Sequence, residues 1–188
     1  MSVGNSIIWR RLDCPGHEFA RIFPAGNGFR IEGAAIFIEE SELCKLDYAI
    51  ECDAGWRTES AKVSGFVGAE KIEIEITVDA EKNWRLNGET IFEAGGCTDI
   101  DLNFSPVTNT LPIRRLNLAS GEKADVRAAW LRFPSFRLET LAQVYERTGE
   151  NTYRYESGGG SFASELALNG AGFVVNYGGL WEIETDKS

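Results

Sequence analysis

The sequence predicts a mainly β protein: a single antiparallel curved sheet, a half-barrel or β-roll built from two diverged repeats, with little helix. Three observations carry that expectation. Apolar and polar residues alternate with period 2 over several segments, the pattern of a sheet with one buried and one solvated face. Glycine and asparagine punctuate the alternating runs where tight turns are needed. Matching residues recur at a near-constant spacing, the mark of an internal duplication.

Taken in order, the chain opens on Met1–Arg11, which has no basic stretch followed by an apolar run and so does not read as a secretory leader. Cys14-Pro15-Gly16-His17-Glu18 reads as a turn. Tyr48, Ile50 and Cys52 then share one face of a strand, with Ala49, Glu51 and Asp53 on the other. The clearest strand is Lys71 to Val78, where Ile72, Ile74, Ile76 and Val78 alternate with Glu73, Glu75 and Thr77. A loop from Asp79 to Asn83 leads into Trp84-Arg85-Leu86, which ends at Asn87-Gly88. Both residues of that pair tolerate positive φ, so it marks a tight hairpin, and Asn169-Gly170 marks a second. Ser105 to Leu118 holds two prolines, a turn-prone Thr-Asn-Thr and the pair Arg114-Arg115, and is read as extended. Ser135 to Thr148 admits two readings, because Leu138, Leu141, Ala142 and Tyr145 fit helical spacing. Its counterpart in the repeat, Trp56 to Phe66, is rich in Thr, Ser, Val and Gly, which decides for strand.

The two copies run over roughly residues 30–101 and 110–184. Trp56-Arg57-Thr58-Glu59 matches Phe136-Arg137-Leu138-Glu139 at a shift of 80, which also sets Ile36-Phe37-Ile38 on Leu116-Asn117-Leu118. Leu86-Asn87-Gly88 matches Leu168-Asn169-Gly170 once a small insertion is allowed. Each copy is too short to bury both faces of its own sheet. The two are therefore expected to combine into a single domain over residues 1–188, whose bent surface leaves a concave trough.

Composition narrows the function classes. A formal net charge of -10 disfavours the extended basic face that nucleic acid requires, so no such partner is expected. No apolar run approaches a membrane span, and a cytoplasmic location is expected. Cys14, Cys44, Cys52 and Cys97 are scattered without metal-ligand spacing and read as buried or half-buried free thiols. No metal or other cofactor is expected. His17 is the one histidine, so a Ser-His or Cys-His scheme would have to use it.

Comparison of the copies points to ligand chemistry. Where the first copy has Ala34-Ala35 the second has Arg114-Arg115; Val63 is replaced by Gln143 and Ile50 by Trp130. Residues 114–154 hold eight Arg or Lys against five Asp or Glu, a net of +3 in an anionic chain. Guanidinium forks suit anionic or polyhydroxylated head groups. On a strand the two arginines face opposite sides, and the pattern leaves open which one faces the trough. Trp56, Trp130, Tyr145, Tyr153, Tyr155 and Trp181 are stacking platforms or core. Asp99 and Asp101 share a face and read as solvated rather than as an acid–base pair. Gly158-Gly159-Gly160 follows no apolar strand and reads as a flexible loop.

A family resemblance adds to this reading. Tyr48, Cys52-Asp53 and Trp56-Arg57, then Asp101-Leu102 and Pro106 through Leu116, then Ala128-Ala129-Trp130, Phe133-Pro134, Gln143-Val144-Tyr145 and Tyr153-Arg154-Tyr155 resemble the bacterial glycolipid-binding protein family, formerly a domain of unknown function. The resemblance spans Trp9 to Trp181, and the run from Thr108 to Arg115 is its most specific part. It implies a half-barrel or roll like that of periplasmic lipoprotein carriers, holding a lipid or glycolipid. It also implies ligand contacts from Trp56, Arg57, Asn109, Arg114, Arg115, Trp130, Gln143, Tyr145 and Tyr155.

The leading expectation is a non-catalytic binder of a lipid or glycolipid-like amphiphile. Its acyl part lies in the trough and arginine with Asn or Gln fixes the head group. One alternative is an enzyme acting on a sugar or lipid-like substrate, with Arg114 or Arg115 stabilising charge and Asp53 or Asp101 as base. Another is a β interaction module that oligomerises or pairs its edge with a partner.

Overall fold

The computed structural model describes residues 5–185; residues 1–4, where the segment read as leaderless begins, and residues 186–188 lie outside it. Eight strands come first: β1 (Ser6–Arg11), β2 (Gly16–Ala25), β3 (Gly28–Glu39), β4 (Glu42–Cys52), β5 (Thr58–Val67), β6 (Glu70–Val78), β7 (Trp84–Leu86) and β8 (Glu89–Ile91). Then come β9 (Asp99–Leu102), a 3-10 turn (Pro106–Asn109) and helix α1 (Thr110–Leu116). Six strands close the chain: β10 (Lys123–Arg132), β11 (Arg137–Arg147), β12 (Thr152–Ser157), β13 (Phe162–Leu168), β14 (Val174–Tyr177) and β15 (Trp181–Ile183). All fifteen form one open, curved sheet in the order β8-β7-β6-β5-β4-β3-β2-β1-β15-β14-β13-β12-β11-β10-β9. The mainly β, single-sheet expectation therefore holds.

Local chemistry explains most elements. In β6, Ile72, Ile74, Ile76 and Val78 turn toward the core while the glutamates between them face water. Asn87 and Gly88 take φ values of 50° and 86°, and join β7 to β8 as a tight hairpin. Residues 137–147 form strand β11, as the repeat indicated. Asn169-Gly170 begins a longer loop between β13 and β14, in which the Asn169 side chain accepts from the backbone N–H of Ala171 and Phe173, both at 3.0 Å. His17 and Glu18 are corrected from turn to strand: β2 begins at Gly16 and pairs with β3 from its first residue. All four cysteines are free thiols; Cys14 is half-buried and the other three are buried.

The segment from Ser105 to Leu118 is the main correction, because it is helical and not extended. β9 pairs with β10 in parallel, whereas every other ladder among the described residues is antiparallel. A parallel pair needs a crossover that leaves one end of the sheet and returns to the other, and a helix serves that purpose. Ser105 caps its start by accepting from the Val107 N–H, and Pro106 fits the first turn, where no donor is needed. Asn117 ends it in the left-handed region at φ 43°. Residues Pro106 to Ile113 are all buried. Phe104, Val107, Leu111 and Ile113 thus fill much of the concave face with the chain's own side chains. The open oily trough is accordingly reduced to a smaller hollow.

Because neighbours run antiparallel, the turns alternate between two rims. One rim carries the β1–β2, β3–β4, β5–β6, β7–β8, β10–β11, β12–β13 and β14–β15 turns, and the crossover enters from it after β9. The other carries the β2–β3, β4–β5, β6–β7, β11–β12 and β13–β14 turns. No helix among the described residues is long and apolar enough to cross a membrane.

Candidate functional site

Between the crossover and the late strands lies a hollow of about 430 Å³. Its walls come from successive strands: Trp130 on β10, Leu141 on β11, Tyr155 on β12, Phe162 on β13, Tyr177 on β14 and Trp181 on β15. Asp101, Asn103, Ser105 and Asn109 supply its polar side, and Ser157, Gly158, Ser161 and Leu180 place its mouth at the first rim. The Tyr155, Phe162 and Tyr177 rings stand roughly edge-to-face at 5.9 to 6.1 Å, a geometry aromatic quadrupoles favour.

Alternation puts Asp99 and Asp101 on one face, as expected, but β9 is covered on both faces, with Ile100 and Leu102 buried on the other. Asp99 is 1% exposed and accepts two bonds from Arg115, at 3.0 and 2.5 Å. Asp101 accepts from Gln143 Nε2 at 2.7 Å, and the same nitrogen donates to Tyr155 Oη at 3.0 Å. Burial pushes the Asp101 carboxyl up to about 6, while the bond from Gln143 pulls the other way. Burial likewise raises Tyr155 and Tyr177, which stay neutral hydrogen-bonding groups. Tyr145 Oη donates to Asn109 Oδ1 at 2.8 Å, fixing the crossover against β11. The Gln143 Oε1 atom is buried without a partner.

A second buried acid adjoins this network. Glu18 is 1% exposed, and its Oε1 accepts from Tyr48 Oη and Ser105 Oγ, each at 2.5 Å. Burial pushes Glu18 up to about 8 against the pull of those bonds and of the Arg11 charge. Tyr48 reaches Glu18 by lying across β3 at Gly33, where an added Cβ would come within 2.2 Å of the phenol oxygen. Sequence reasoning missed Glu18, although Glu18, Ala20 and Ile22 alternate inward on β2.

The residues implied as ligand contacts fall into two groups. Asn109, Trp130 and Tyr155 line the hollow, while Gln143 and Tyr145 brace it from behind. Trp56, Arg57, Arg114 and Arg115 lie elsewhere. Trp56 stacks on Phe29 at 4.1 Å, with the Arg114 guanidinium 4.4 Å above its ring. Arg114 donates to the Ala171 carbonyl, in the β13–β14 loop of the opposite rim. Arg57 faces Asp53 at 3.5 Å in the β4–β5 turn. Neither member of the arginine pair lines the hollow, because a helix aims them toward Trp56 and Asp99 instead.

Known proteins place this geometry. The family model described as "Putative glycolipid-binding" matches residues 6–182. The chain belongs to this family. A crystal structure of a DUF1089 family protein from Pseudomonas aeruginosa is similar to it, with 30% identity, a TM-score of 0.78, and coverage of 88% of this chain and 91% of that one. No curated protein matches the chain.

Proposed function

We propose that this member of the glycolipid-binding family holds the sugar head group of a glycolipid in the hollow beside the crossover. The observation that carries the reading is the pairing of aromatic walls with a desolvated acid and amide in one cavity. Trp130, Tyr155 and Trp181 offer apolar faces for the C–H side of a sugar ring. Asp101 and Asn109 offer acceptors and donors for its hydroxyls, in surroundings where each such bond is strengthened by low polarity. A volume of about 430 Å³ lies toward the small end of the roughly 300–1,000 Å³ of ligand pockets, which suits a head group and leaves the acyl chains outside.

Titration of the protein with short-chain alkyl glycosides, followed by tryptophan fluorescence, tests the reading. Saturable quenching that Asp101→Asn and Trp130→Ala each weaken supports it. Denaturing extraction that never releases a sugar-bearing lipid, with no glycoside binding, would sink it. A second reading, catalysis on a sugar-like substrate, is favoured by Asp101 alone, whose carboxyl near 6 suits proton transfer at neutral pH. Turnover of a glycoside panel that Asp101→Asn abolishes would establish it.

A further inference from the structure

We infer that the rim at which the hollow opens docks on an uncharged lipid surface. The inference rests on the glycolipid reading for its purpose, since acyl chains that stay outside the hollow need an apolar phase at its mouth.

Three observations place the docking surface. First, backbone bonds tie the turns of this rim into one band. Leu180, at the mouth of the hollow, accepts from the Leu12 N–H at 2.8 Å, Pro15 accepts from the Ile38 N–H at 2.9 Å, and Leu43 accepts from the Gly68 N–H at 3.0 Å. Second, that band exposes large apolar side chains. Leu43 is 70% exposed and Phe66 51% exposed, and with Ile36 and Ile38 they line an outward groove of about 640 Å³. The opposite rim turns instead on Gly26-Asn27, Asp79 to Asn83 and Asn169 to Gly172. Ile8, Phe19 and Phe92 are exposed elsewhere, but this groove is where several large apolar side chains converge, and such a patch marks an interaction surface.

Third, charge selects the partner. Lys45 beside the groove pairs with Asp47, and Lys71 on the neighbouring strand pairs with Glu73 at 2.5 Å. Glu39, Glu40 and Glu42 cluster at the β3–β4 turn within the same band. The chain as a whole carries a net charge of -10. Anionic lipids are recruited by unpaired clusters of Lys and Arg, and here the acidic turn repels them. Attraction therefore comes from buried apolar area, which a neutral lipid interface supplies.

Flotation on density gradients with phosphatidylcholine vesicles free of glycolipid tests the inference. The glycoside titration above reads the hollow separately, so failure of either reading is distinguishable from failure of the other. Wild-type protein should float with phosphatidylcholine vesicles and float less as phosphatidylglycerol is added. Leu43→Asp with Phe66→Asp should lower flotation by roughly tenfold or more, given the size of the apolar surfaces lost. Leu43→Ser alone should lower it in the same direction, and circular dichroism should report an intact sheet in both. Phe92→Asp, at a residue 87% exposed but outside the band, should float like wild type. Wild-type protein that stays at the bottom of the gradient overturns the inference. So does equal loss in the Phe92 variant, or a dimer dissolved by the Leu43 and Phe66 changes with no flotation, which would show a second copy covering the groove.

Discussion

Glu18 and Asp101 set the pH behaviour of the molecule, and both signs follow from desolvation. Each carboxyl holds its proton more tightly folded than unfolded, Glu18 to about 8 and Asp101 to about 6. Their unfolded values lie near 4, so the native state binds more protons than the unfolded state across the interval. Stability is therefore greatest below about pH 4 with respect to these groups, and declines as pH rises through 6 and 8, by at most about 1.4 kcal/mol per pH unit for each. Glu18→Gln keeps an acceptor for Tyr48 and Ser105 and removes the ionisation. Urea titrations at pH 5 and pH 8 should show its stability falling less across that interval than that of wild type. Head-group binding has the opposite sign: ionised Asp101 is the better acceptor, so glycoside affinity should weaken roughly tenfold between pH 7 and pH 5, and Asp101→Asn should abolish that dependence. Glu18 was not picked out from the sequence, and Asp101 was named as a candidate base but read as solvated. In a chain with 29 Asp and Glu residues, alternation shows which carboxylates share a face without showing which face is buried. Exposed Phe19 between Glu18 and Ala20 makes the two faces of β2 equally apolar.

At the scale of elements, the strands were legible and the crossover was not. Period 2 and the Asn-Gly turn specified β4, β6 and β7 because each has one wet face or one constrained turn, whereas β11 was read as strand from its match to Trp56 to Phe66. The crossover is buried on all sides, which erases the one-sided pattern of a surface helix. Its Ser105-Pro106 start and Asn117 stop were present as signals, but Pro112 and the surrounding threonines favoured an extended reading. Two substitutions test its packing. Leu111, fully buried, should cost about 2–5 kcal/mol on replacement by Ala, measured by denaturant unfolding. Arg115→Ala strands Asp99, which is 1% exposed, and should cost about 3–5 kcal/mol in the same assay. Mutating Asp99 and Arg115 together to apolar residues should recover much of that loss.

For the whole molecule, the two stretches set on each other at a shift of 80 run in opposite directions within the sheet, since the β4–β5 and β10–β11 turns lie on opposite rims. Trp56 and Phe136, eighty positions apart, both take left-handed φ values, 64° and 51°, just before β5 and β11. That agreement is local, because Leu116 to Leu118 ends a helix where Ile36 to Ile38 continues a strand. The asymmetry of the rims was out of reach of sequence reasoning, because the long-range β1–β15 ladder decides which turns fall together.

The ladder between β1 and β15 sets Trp9 opposite Ile183, so the opening strand of the sheet is flanked by the last one to be synthesised. A nascent chain leaving the ribosome can build the β2–β8 meander early, yet the indole of Trp9, which donates to the Val174 carbonyl at 2.6 Å, has no seat until Val174 has emerged. Ribosome-stalled fragments ending before residue 170 should consequently remain protease-sensitive around β1, and longer fragments that expose β14 and β15 should gain protection there.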